Sequence, residues 1–147
     1  MRLFIRLGWL LTILLPVSAA EQTPGPAGQP DNRIVVELPD PIKQALRERM
    51  RRNLSDIQRI QKALADAEFN KAADVAEYSL GLSSLGPHNT RQASYMPDAM
   101  RQMGNAMHGA SSRVALAAQE EDTVKALGLL AEVTALCVGC HATYRAK

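Results

Sequence analysis

The chain predicts an all-α fold, an antiparallel four-helix bundle, on three observations. Its 147 residues suffice for one compact domain and fall short of two. Apolar residues recur at helical spacing along most of the chain, with no convincing strand alternation. Caps and breakers divide the periodic region into four amphipathic segments with short connections, as neighbouring antiparallel helices require.

The N-terminal residues stand apart from this pattern. Met1-Arg2-Leu3-Phe4-Ile5-Arg6 is basic, Leu7 to Val17 is apolar, and Ser18-Ala19-Ala20 places small residues before polar Glu21-Gln22. That order predicts a secretory signal peptide over residues 1–20, cleaved on export to the periplasm. The apolar run is shorter than the roughly 18–20 residues of a spanning helix, which disfavours an uncleaved anchor. Without the leader the chain keeps fifteen basic and fifteen acidic residues, so charge gives no reason to expect nucleic acid or an anionic membrane as partner. Its aromatic side chains then fall to Phe69 and three tyrosines, leaving a core of Ala, Leu, Met, Ile and Val that a large flat cofactor would fill well. Residues 21–38 read as a flexible segment, because Thr23-Pro24-Gly25-Pro26 and Gly28-Gln29-Pro30 resist helix. Within it, Ile34-Val35-Val36 is expected to lie extended against the domain, which occupies 39–147.

The first helix starts at Asp40, a cap, with Pro41 in the first turn where no amide hydrogen is needed. Ile42, Leu46, Met50, Ile57, Ile60 and Leu64 fall on one face, and Asn53 shares it. A second helix is expected from a cap at Asn70 to about Leu80, with Gly81 ending it. Gly86-Pro87-His88-Asn89-Thr90 reads as a loop. The third helix begins near Pro97, carries a stripe of Met96, Met100, Met103, Met107, Ala110 and Val114, and ends at Glu120-Glu121. Asp122 caps the fourth, whose inner face collects Ala126, Leu130, Val133, Cys137, Cys140, His141 and Tyr144.

The chemistry lies in Cys137-Val138-Gly139-Cys140-His141, the C-x-x-C-H pattern of c-type haem attachment. On a helix the two cysteines are one turn apart on one face, so both sulfurs can bond one porphyrin edge, and His141 can reach the iron from one side. Two other readings compete. In an oxidising compartment the cysteines could form a disulfide, but a redox-active C-x-x-C usually opens a helix in a β-α-β setting, whereas this pair closes a helix in an all-α chain. A structural zinc site wants four ligands, and the chain has no further cysteine to give.

A C-x-x-C-H motif at the C-terminus of four helices resembles the class II c-type cytochromes, the cytochrome c′ superfamily. The resemblance runs from Asp40 to Lys147 and rests on Cys137-Val138-Gly139-Cys140-His141-Ala142-Thr143-Tyr144-Arg145 and on Glu68-Phe69-Asn70 at the entry to helix two. It implies one covalent haem c, with thioethers from Cys137 and Cys140 and His141 as proximal iron ligand. It also places a first-helix residue over the distal face, a methionine ligand in low-spin relatives and a non-ligating side chain in high-spin ones. The matching turn contains Met50, which the resemblance makes the distal ligand of a low-spin branch; the competing reading is that Met50 fills core. A register one position away would place Arg51 or Leu54 there, and neither can ligate. The methionines of helix three read as core, His108 as peripheral or near a propionate and as the fallback ligand, and His88 as a loop residue without a role. Arg145 reads as a propionate partner or as ordinary surface charge.

Electron transfer follows from this set, by a carrier with no turnover of its own, exchanging electrons with redox partner proteins. The rival is a five-coordinate, cytochrome c′-like protein binding nitric oxide or carbon monoxide. A third class is a haem-free helical protein using Cys137 and Cys140 as a disulfide. The family includes dimers, so a homodimer is possible, although no exposed apolar stripe in the sequence argues firmly for one.

Overall fold

Pro39 is extended, with ψ 142°, and α1 (Asp40–Ala65) starts directly after it. Asp40 is therefore the first helical residue and not the cap that its residue type suggests; its carboxylate pairs with Lys43 at 2.8 Å, one turn on. Pro41 occupies the first turn, where a missing N–H costs nothing. The structure, a computed structural model, describes residues 30–86 and 88–147, with side chains at 30–86 and 91–147. The expected leader, residues 1–20, lies outside the described residues. Asn32–Lys147 form one compact unit; of the other, Met1–Asp31, only Pro30 and Asp31 are described.

Asp66 caps the end of α1, and Ala67 turns the chain with φ 56°. α2 (Phe69–Asp74) runs without interruption into a π-helical segment, Val75–Leu80, which stops at Gly81. Glu68, not Asn70, precedes the first turn of α2. A short 3-10 turn, Leu82–Ser84, follows.

The stretch expected to be a loop holds α3 (His88–Ala93), so His88 opens a helix. Glycine and proline in sequence mark a break, yet a break is also where a new helix can begin. α4 (Asp98–Gln119) starts after Pro97 and closes at Glu120, and Glu121 takes φ 57° in the turn. α5 (Thr123–Thr143) is capped as expected: the Asp122 side chain accepts from the Lys125 amide at 2.9 Å. The chain is mostly helical, with α1, α2, α4 and α5 as the main packed helices.

Two strands supplement the helices. β1 (Ile34–Val36) pairs in parallel with β2 (Tyr144–Ala146), Ile34 opposite Tyr144 and Val36 opposite Ala146. The Leu38 amide donates to the Lys147 carbonyl at 3.2 Å and the Lys147 amide to the Val36 carbonyl at 3.1 Å, which continues the ladder. The extended run at Ile34 was expected; its partner was not, because three residues are too few to show alternation. Tyr144 consequently belongs to β2 and not to the inner face of α5.

The core divides into two apolar clusters. The larger packs Ile57, Ile60 and Leu64 of α1 against Ala76 and Leu80, Met107, Ala110 and Val114 of α4, and Ala126, Leu130 and Val133 of α5. The smaller is centred on Val36, Leu38 and Tyr144, with Ile42, Leu46, Met100, Met103 and Cys140 half-buried around it. Each long stripe thus splits: its inner residues are buried in the larger cluster, while Ile42, Leu46 and Met50 of α1, Met100 and Met103 of α4, and Met96 just ahead of α4 are half-buried. α5 is apolar on more than one face, so Val124, Leu127 and Val138 remain exposed. Among the described residues it is the helix long and apolar enough to cross a membrane.

Candidate cofactor-attachment site

Cys137 and Cys140 lie in the last two turns of α5, one turn apart on one side of the helix. Both are half-buried, and each touches a different part of the core: Cys137 packs on the larger cluster and Cys140 on the smaller. The motif therefore sits where the two clusters meet. Gly139, between the cysteines, lies against α4, since a Cβ there would meet Met103 Cε at 3.4 Å. Leu46 of α1 packs on the same cluster as Cys140.

His141 begins the last turn before β2 and its side chain is exposed, whereas the helical stripe placed it on the inner face. Arg33 Nη1 donates to the His141 carbonyl at 3.3 Å, tying the residue ahead of β1 to the end of the motif. On α1, Met50 is half-buried while Arg51 is exposed and Leu54 is 70% exposed. Of the three first-helix candidates, only Met50 turns inward. Met103 is the side chain against the motif that periodicity alone counted as core; its position one turn from Met107 and Met100 on α4 was the available signal.

His108 is not peripheral. It is buried, and its Nδ1 lies 2.7 Å from the Leu80 carbonyl at the end of the π-helical segment. Helix α4 has two covered sides, one on the core and one against this segment, and a single apolar stripe reveals only the first. The α3 helix places His88 in its first turn.

Burial pushes the Cys137 thiol up from its ordinary value, and burial together with the neighbouring Cys137 does the same at Cys140. The negative end of the α5 dipole acts in the same direction. The direction is opposite to the lowered pKa that marks an exchange-active cysteine. Among the described residues no group of three or more His, Cys, Asp or Glu side chains is placed to hold a metal ion. No known protein-family model, curated protein or solved structure matches this chain.

Proposed function

We propose that the protein is a periplasmic electron carrier, an antiparallel four-helix class II c-type cytochrome with one covalent haem c. The observation that carries this reading is the Cys137-Val138-Gly139-Cys140-His141 motif at the junction of the two apolar clusters. The residues present fit the group: two same-face thiols one turn apart, a histidine one residue on, and half-buried Leu46, Met100 and Met103 on the cluster that Cys140 joins, with half-buried Met50 one turn along α1 from Leu46. Cys137 and Cys140 would hold the porphyrin edge, His141 the iron on one side and Met50 on the other. When bound, the haem supplies a one-electron couple, and a thioether axial ligand raises its potential.

The chain's own part is to hold both ligands through the redox change. Helix α5 fixes the cysteines and His141 on one rigid element, and α1 presents Met50 one turn after Leu46.

The test is the optical spectrum of the matured protein, oxidised and reduced, beside Met50→Ala and Met103→Ala. Met50→Ala is expected to abolish the weak far-red band of methionine-ligated ferric haem, and Met103→Ala to leave it in place. Loss in Met103→Ala alone would move the ligand to α4. A high-spin spectrum indifferent to both substitutions, and altered by carbon monoxide, would put the five-coordinate gas-binding reading in its place. A chain carrying no covalent haem after maturation would remove both.

A further inference from the structure

A cleft of about 510 Å³ opens between α1, the end of the π-helical segment and α4, and α5 contributes nothing to its lining. Its α1 wall presents Arg49 and Arg52 one turn apart and Arg59 two turns further on. Only Arg59 is neutralised there, by Asp56 at 2.9 Å. Among the described residues, Arg49 and Arg52 have no carboxylate within ion-pair distance. Three guanidinium groups against one carboxylate leave the cleft with a charge of +2.

This is an uncomfortable arrangement without a counter-charge. Arg49 is half-buried, and Arg52 lines the same cleft one turn on. Two like charges held side by side at the edge of a core cost stability unless an anion joins them. The remaining lining suits one. Asn53 and Ser79 bring uncharged polar groups. His108 is held by the Leu80 carbonyl at Nδ1; a carbonyl only accepts, so Nδ1 carries the proton, and Nε2, an acceptor, can bond only to a ligand that bears its own O–H, as hydrogen phosphate does.

We propose that this cleft is a binding site for a small oxygen-bearing dianion of the phosphate or dicarboxylate class. A dianion matches the +2 charge of the lining. The planar guanidinium forks bind two-oxygen anions bidentately and chloride less well. A nucleic acid backbone is a poorer fit, because the cleft has no Phe, Tyr or Trp for a base and the arginines line one pocket. None of the cleft's lining comes from the attachment motif, so phosphate binding can be read whether or not the haem assignment holds.

The same chemistry is offered by two sources, a free dianion and the two carboxylates of a bound haem, and the experiment separates them. Inorganic phosphate is titrated calorimetrically into the full matured chain, against potassium chloride at equal ionic strength, for wild type, Arg52→Gln and Arg49→Gln/Arg52→Gln. Saturable phosphate binding is expected, weakened several-fold in Arg52→Gln and by tenfold or more in the double variant. Arg52 is exposed, so the single variant keeps the test alive should the double variant fail to fold. Heat indistinguishable from that of chloride, or binding unaltered in Arg52→Gln, overturns the proposal. So does an absence of phosphate binding accompanied by a shift of the haem potential in Arg52→Gln, which assigns these cations to the haem carboxylates.

Discussion

The Nδ1 of His108 donates to the Leu80 carbonyl at 2.7 Å, in a buried position that also feels the Arg49 charge. Desolvation is the larger effect and Arg49 adds to it; the carbonyl bond opposes both, and the net result lowers the His108 pKa from its ordinary value. The sign of the linkage follows. Folding favours the neutral ring, so this stabilisation is complete above the unfolded histidine pKa of about 6.5 and is lost as pH falls below it toward the folded value. Urea midpoints measured between about pH 8 and 5 should therefore fall more steeply in wild type than in His108→Gln, which cannot acquire the charge. Parallel profiles would mean that His108 contributes nothing to the pH dependence. The sequence could not supply this argument: His108 stands off the methionine stripe of α4, and only the packing of the π-helical segment shows that a second side of that helix is covered.

Two glycines show what separates an element's boundary from its interior. Gly81 ends the π-helical segment, and a Cβ there would stand 2.7 Å from Glu77 Oε2 and 2.8 Å from the backbone carbonyls of Ala76 and Glu77. Its φ of −77° is ordinary, so close approach and not torsion demands glycine. Backbone cannot swing aside as a side chain can, and Gly81→Ala is expected to cost about 1–3 kcal/mol. Gly128, exposed inside α5, has nothing within 4 Å of a Cβ. Gly128→Ala should gain about 0.5–1 kcal/mol through helix propensity. Denaturant melts of the pair check both signs; a neutral Gly81→Ala would mean that the segment relaxes into an ordinary α-helix. At this scale the sequence was informative where local chemistry rules. Pro41, the Asp122 cap and Gly81 all marked real boundaries. It was silent where the cause is tertiary: the π-helical winding, the α3 helix and the exposed apolar side chains of α5 depend on what packs nearby, and no residue type announces them.

Across the whole domain, the division into two clusters matters most for the candidate site, because Cys137 belongs to one and Cys140 to the other. Only the second depends on the strands: Val36, Leu38 and Tyr144 are its buried centre, and all three lie in β1, β2 or the three residues between β1 and α1. Chain ends are ordinarily the first parts of a domain to open. Here the segment before α1 and the segment after α5 close on each other, and the Arg33 bond to the His141 carbonyl carries that closure to the motif. Val36 is 3% exposed; truncating it to alanine removes two buried methyl groups and should cost about 2 kcal/mol. If the clusters open separately, the loss will be local. Hydrogen exchange in Val36→Ala should quicken at the Leu38 and Lys147 amides, which bond across the ladder, and remain slow around Ile60, which is fully buried in the larger cluster. Equal acceleration at Ile60 would show a single cooperative core, and damage to the strand pair would then reach Cys137 as readily as Cys140.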